Sequence, residues 1–248
     1  MKRLNIIMVL LSIGLCSSLL KAEEPDWNKY DQLLSKYVKQ GQLNNVNLMT
    51  VDYIGIKSDK SYQRVVSQIE SFDTVKLKTK QEKLAFYINA YNVLAIKMVL
   101  DHWPVESIKD IGGLFSPVWK KEAGTINHKT VTLHHVEHEV LRKMNEPRIH
   151  MAIVCASVSC PDLRNEAYTA GKIEMQLDEQ SKLFLSNNKK GLYIKGNTVY
   201  VSKIFDWFED DFDQFGGVNR FIRKYNNNVT AGMKIDADID YDWNLNRK

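Results

Sequence analysis

The sequence predicts an α+β domain, rich in helix, built on one central buried helix with a small, mainly antiparallel sheet. Three observations lead there. Residues 84–100 form a stretch whose only strongly polar members are Asn89, Asn92 and Lys97, and a helix apolar on nearly all sides belongs inside a core. Helix-like and strand-like patterns follow one another without regular alternation, which argues against a doubly wound sheet. No internal repeat or low-complexity linker divides the chain after its first residues, so 23–248 read as a single globular domain.

The N-terminus follows the plan of a secretory signal. Lys2 and Arg3 precede an uncharged apolar run from Leu4 to Leu20, and Ala22 is a small residue suited to cleavage before Glu23. Residues 1–22 are therefore expected to be removed and the mature chain to be periplasmic or secreted. A lipid on Cys16 is the alternative, but Leu15 suits it poorly. Signal removal takes away Lys2, Arg3 and Lys21 and no acid, so the formal charge falls from +4 to +1. No sustained Lys/Arg stripe remains, which gives no support to nucleic acid as a partner. Nothing after the signal reads as a stable membrane span.

Along the mature chain, Trp27, Tyr30, Leu33, Leu34, Tyr37 and Val38 fall at helical spacing ahead of Gly41, which is expected to close that helix. Val51–Ile56 reads as a short strand, and Ser61–Phe72 as a helix with Val65, Val66 and Ile69 inward. Thr79 and Glu82 form a capping box at the start of the core helix, and Pro104 forces its end. Gly112, Gly113 and Pro117 mark a loop, and Val131–Arg142 holds another helix. His150–Cys155, apolar and partly β-branched, suits a buried strand. Thr169 is a candidate cap for a helix carrying Ile173, Leu177 and Phe184. Leu192–Val201 reads as a hairpin turned near Gly196. Phe205, Phe208, Phe212 and Phe215 fit the core face of a helix better than a sugar-binding platform. A break at Gly216–Gly217 precedes a last helix through Tyr225.

Four ordered blocks carry a resemblance: LAFYINAYNVLAIKMVL (84–100), VEHEVLR (136–142), RIHMAIVCASVSCPDLRNEAY (148–168) and VSKIFDWFEDDF (201–212). Together they resemble domain-of-unknown-function family 547, over about residues 45–225. The resemblance implies fold and extent; the family brings no established reaction with it. His134 and His135 depart from its pattern, which usually lacks histidine there. Plant members tolerate serine near the second cysteine, which weakens a thiol mechanism.

Three constellations carry candidate chemistry. Asn89 and Asn92, at i and i+3, share one face of the core helix. A buried amide must find partners or lose about 1–3 kcal/mol. They either pin a loop through backbone hydrogen bonds or line a cleft and orient a substrate carbonyl or an imidazole. The second constellation is His150 to Arg164. Pro161 suits a first helical turn, which would set Cys160 at a positive helix end that favours a thiolate. Cys155 and Cys160 are otherwise a disulfide pair or small buried residues. Ser157 and Ser159 lie in the same turn, and Arg164 pairs with Glu166 or recognises a carboxylate. The third is Glu137, His138 and Arg142. With His134 they spell H-x-x-E-H, an inverted zinc-protease pattern, but no third ligand can be identified. An ion-pair network of Glu137 and Arg142, with His138 beside a cleft, is the favoured role, and no metal is assigned.

The expected site is a pocket built by the Asn89/Asn92 helix, the Glu137–His138 helix and the Cys155–Arg164 segment. Two functions fit it. One is a binding or scaffold module in which Asn92, Glu137, Ser157, Ser159 and Arg164 contact a small molecule or peptide. The other is a cysteine-dependent hydrolase or acyl-transferase on an envelope substrate, with Cys160 as nucleophile, His138 or His150 as base and Asn89 or Asn92 as orienter. Neither calls for a cofactor.

Overall fold

The computed structural model describes residues 24–113 and 117–248, so the signal-like segment and Cys16 lie outside the described residues. Helix α1 (Asn28–Tyr37) buries Tyr30, Leu33 and Leu34. Gly41 does not close it. The chain passes directly into β1 (Val38–Leu43), antiparallel to β2 (Val46–Val51) through a turn at Asn44 and Asn45, both at positive φ. Gly41 serves a close approach instead, since a Cβ there would lie 2.8 Å from Thr50 Cγ2. The strand expected at Val51–Ile56 is replaced by helix α2 (Tyr53–Ser58), because the Asp52 carboxylate accepts from Gly55 N–H and starts a helical turn.

Helix α3 (Lys60–Ser71) turns Tyr62, Val65, Val66 and Ile69 inward. Helix α4 (Lys80–Asp101) follows with both halves of the Thr79–Glu82 capping box made. It is long and apolar enough to cross a membrane by length and composition alone, yet it is buried inside the protein on nearly every side. It stops just ahead of Trp103–Pro104. Strands β3 (Glu122–Ile126) and β4 (Lys129–Thr132) form a second hairpin. The expected Val131–Arg142 helix begins only after β4, and its His135–Leu141 portion is wound in the wider π form before a 3-10 turn at Arg142–Met144. Such widened turns recur at functional sites.

No strand forms at His150–Cys155. Pro147–Met151 is a 3-10 turn capped by Glu146, and the chain then crosses the core irregularly. Its apolar run signals burial rightly, but the backbone partners come from α4 rather than from a neighbouring strand. Asn92 Nδ2 donates to Ala152 O at 3.0 Å, and Val154 N–H donates to Asn92 Oδ1 at 2.8 Å. No helix begins at Pro161. Helix α5 (Ile173–Ser186) starts at Lys172 rather than Thr169, whose N–H is given to the Gln176 side chain.

Strands β5 (Leu192–Lys195) and β6 (Thr198–Ser202) make the expected hairpin at Gly196. The aromatic run divides into α6 (Ile204–Trp207) and a 3-10 helix at Glu209–Phe215, with α7 (Val218–Tyr225) beyond the left-handed Gly216. Strand β7 (Lys234–Ile239) lies parallel to β6. The architecture is α+β with a buried central helix, and among the described residues the expected sheet is divided into three: β1–β2, β3–β4 and β5–β6–β7.

Among the described residues two large apolar clusters hold it together, beside a small third one of Val46, Leu48 and Val158. The larger surrounds α4 with α1, α2 and α3. The smaller joins the end of α5, β5, β6, Phe205, Phe212 and α7. After β7 the chain runs back across the larger one: Val51 N–H donates to Asn246 O at 2.8 Å, and Asn246 N–H to Ala156 O at 3.0 Å.

Candidate functional site

A cavity of about 160 Å³ opens where the two clusters meet. Its floor carries Tyr91 from α4, Ile153, Cys155, Cys160 and Pro161. One wall is His134, Glu137 and His138, with His150 beside them; Ile204 is a buried lining residue, and the half-buried or exposed aromatics Trp119, Trp207, Phe208, Tyr241 and Trp243 make the rim.

The wall is held by one carboxylate. Asp211 accepts two hydrogen bonds from Arg142, Nε at 2.6 Å and Nη2 at 2.8 Å, and a third from His150 Nε2 at 2.7 Å. Burial would raise its pKa, but these donors outweigh burial and hold the carboxyl well below the usual range. Arg142 also donates from Nη1 to His138 Nδ1 at 2.7 Å. Because a guanidinium can only donate, His138 Nδ1 must be the bare nitrogen and Nε2 must carry the proton. Partial burial, the neighbouring His134 and the charge of Arg142 push His138 down to about 4, so it is a neutral donor at pH 7. Burial likewise lowers His150 against the pull of Asp211. The His150 ring stacks on Phe208 at 4.0 Å.

Glu137 is the anomalous acid. Burial raises its carboxyl to about 7, although a hydrogen bond from Tyr91 (3.2 Å) and the charge of Arg142 pull the other way. It exchanges protons near neutrality, which is a mark of functional acids. The expected Glu137–Arg142 ion pair is not made, since Arg142 bonds Asp211 and His138 while Glu137 bonds Tyr91.

Cys155 and Cys160 are joined as a disulfide, with Cα atoms 6.2 Å apart. Polar groups crowd the sulfurs. Cys160 Sγ accepts from Cys155 N–H at 2.9 Å and from Tyr241 O–H at 3.3 Å, and Cys155 Sγ lies 3.0 Å from Ser157 Oγ. The intervening loop is clamped by the C-terminal segment: Val158 N–H donates to Asn244 O at 2.9 Å, and Asp242 N–H to Ser159 Oγ at 2.8 Å.

The structure thus brings Glu137, His138, His150, Cys155 and Cys160 to one cavity and leaves the other candidates off its lining. Asn89 spends its amide on the backbone of Tyr168, donating to O at 2.8 Å and accepting from N–H at 2.9 Å. Asn92 does the same with Ala152 and Val154, so neither orients a group in the pocket. Arg164 is bound to Glu166 and Glu179, its carboxylate partners within the protein. Ser157 and Ser159 are buried within the disulfide loop and do not line the cavity. In this disulfide state Cys160 has no free thiol, and with no helix starting at Pro161 it lacks the helix-end field expected for it.

The rings of His134 and His138 stack face to face at 4.2 Å, an arrangement that does not converge two nitrogens on one ion. Among the described residues no group of three or more His, Cys, Asp or Glu side chains is placed to hold a metal. The sequence patterns did not point to Tyr91, Trp119, Trp207, Tyr241 or Trp243, and Phe208 was expected only to pack. The signal for Trp207 was there in its neighbours: Phe205 and Phe212 already supply the buried face, so a ring out of phase with them turns to solvent, and it is 45% exposed.

Residues 75–185 match the family model described as "Protein of unknown function, DUF547". This stretch belongs to the DUF547 family. No curated protein and no solved structure matches the chain. The DUF547 region supplies the cavity floor and the histidine–glutamate wall. The block at 201–212 lies beyond the matched residues, so Ile204, Trp207, Phe208, Asp211, Tyr241 and Trp243 complete the site from outside it.

Proposed function

We propose that this chain is an exported binding module whose cavity receives a small ring-sized ligand, free or at the tip of a peptide. What carries the reading is the pairing of an aromatic rim with Glu137, an acid that titrates near neutrality, beside a neutral imidazole donor, His138. Convergent polar groups in an apolar concavity are the usual form of a ligand site. The volume, about 160 Å³, falls below the roughly 300–1,000 Å³ that hold drug-sized molecules, so a single ring is the fitting size. A ligand's apolar face would lie against Trp207 and Phe208, and its polar edge would meet Glu137 and His138. The signal-like N-terminus supports export.

The cysteine-hydrolase reading has less support. It needs a free thiolate at Cys160, and the two sulfurs are bonded to each other. The test is a titration of tryptophan fluorescence with a panel of monosaccharides, aromatic amino acids and their dipeptides. Saturable quenching by at least one member, weakened about tenfold or more in Trp207→Ala and Glu137→Gln, is expected. Quenching that never saturates, or that both variants retain in full, would sink the proposal.

A further inference from the structure

We propose that the Cys155–Cys160 disulfide is a reactive redox pair that exchanges with a cysteinyl thiol entering the cavity. This goes beyond ligand binding and does not need it. The first support is position: both sulfurs belong to residues lining the cavity rather than sitting in a sealed core. The second is asymmetry. Cys160 is only 4% exposed, while Cys155 is half-buried and is the sulfur an incoming thiolate meets.

The third support is the surroundings of the leaving sulfur. A thiolate leaves more readily when its negative charge is stabilised. Cys160 Sγ already receives the Cys155 N–H at 2.9 Å and the Tyr241 hydroxyl at 3.3 Å. On the other sulfur, Ser157 Oγ at 3.0 Å and Tyr241 at 3.3 Å stand ready for a thiolate at Cys155. The loop does not need the bond to keep its shape. Backbone hydrogen bonds hold it, Val158 and Ser159 N–H donating to Asn244 O and Asp242 O and Ala156 O accepting from Asn246 N–H, and a disulfide closing so short a loop gives the least entropic stabilisation. Reduction therefore leaves the two thiols side by side, able to close again. Glu137, on the same cavity and near enough for its charge to bear on Tyr241, supplies a carboxyl that can give up or take a proton at neutral pH.

The exchange balances as follows. A substrate thiolate attacks Cys155 Sγ and forms a mixed disulfide; the Sγ–Sγ bond breaks, and its electron pair goes to Cys160 Sγ, which takes a proton. A second substrate thiolate attacks the substrate sulfur of the mixed disulfide, releasing a substrate disulfide and the Cys155 thiolate. Two thiols are oxidised and one protein disulfide becomes a dithiol. A substrate disulfide drives the reverse.

The test uses the mature chain equilibrated in buffers of varied reduced-to-oxidised glutathione ratio, then alkylated and weighed intact. The pair is expected to pass from oxidised to reduced within the accessible range of ratios. Cys160→Ser should trap one glutathione on Cys155, and Cys155→Ser should trap at least tenfold less on Cys160. Glu137→Gln should slow reduction at pH 7 by about tenfold or more. A cysteine-containing pentapeptide run beside glutathione assigns the thiol: faster exchange with the peptide points to a polypeptide, slower exchange to a small thiol. A wild-type pair that stays oxidised at every ratio, or adducts formed equally on both cysteines, would overturn the proposal. Wild-type titration needs no variant to fold. Ligand quenching measured in the fully oxidised protein reports binding alone, so failure of exchange is distinguishable from failure of the binding reading.

Discussion

Helix α4 and the π-wound helix at His135–Leu141 pack side by side, yet they treat their polar groups in opposite ways. On α4, Asn89 and Asn92 each close a two-bond clasp on a backbone segment, so carbonyl and amide ends are both satisfied. On the neighbouring helix, Glu137 and His138 each have a partner but sit at a cavity with their proton affinities moved far from the ordinary. The first pair holds irregular chain in place. The second pair retains chemical potential that folding alone does not require, which is where function is to be sought.

If that contrast is right, the clasps should matter most to stability. Asn92→Ala leaves Ala152 O and Val154 N–H without the partner they have in the buried interior, at about 1–3 kcal/mol each. Asn89→Ala should act likewise on Tyr168. Urea unfolding of both variants measures the loss. A cost below about 1 kcal/mol for either would show that water or a neighbour replaces the clasp, and the contrast with the second helix would weaken.

Glu137 should behave in the reverse sense. Folding raises its carboxyl pKa from 4.5 to about 7, so the folded protein takes up this proton before the unfolded chain does. Its contribution to stability is full below pH 4.5 and declines as the pH rises to about 7. The whole decline is worth roughly 3 kcal/mol. Glutamine is neutral throughout, so Glu137→Gln should equal the wild type near pH 4.5 and exceed it above pH 7 by up to that amount. His138 and His150, whose pKa values are lowered, act oppositely and lose their contribution as the pH falls below 6.5. Because both proteins carry them, they cancel in the difference. Urea titrations between pH 4.5 and 8 give the curve, and a difference independent of pH would contradict the raised acid.

How much of this was legible depended on whether the cause was local. The Thr79–Glu82 box and the apolar sweep of 84–100 lie within one turn and one helix, and α4 appears where they put it. The hairpin at Gly196 is equally local. His150–Cys155 failed as a strand because its hydrogen-bond partners come from Asn92, some sixty residues earlier in the chain. Apolar content alone cannot separate a buried strand from buried irregular chain. Glu137, His138, His150 and Cys160 were picked out from short local patterns as candidate acid, bases and nucleophile, and they do converge on the cavity. Asp211, which anchors Arg142 and His150, is one acid in the run Glu209–Asp211 with nothing in the sequence to set it apart. Tyr241 and Trp243 arrive by a C-terminal return that no periodicity announces.

The smallest expected effect on stability belongs to the rim. Trp207 keeps nearly half of its surface open to solvent and meets Tyr241 at 4.9 Å and Trp243 at 5.7 Å between ring centroids. Aromatic pairs of this kind contribute about 0.5–1.5 kcal/mol when well packed, and exposure puts this one at the low end. Trp207→Ala should therefore unfold within about 1 kcal/mol of the wild type, while ligand quenching falls tenfold or more. Trp243 is a poorer probe, because the Lys109 ammonium already lies 4.7 Å over its ring and would confound a lost ligand contact with a lost cation–π contact. Were Trp207→Ala instead to destabilise the fold as much as Asn92→Ala, the rim would be core after all, and the division between residues that hold the chain and residues that face a ligand would have to be redrawn around it.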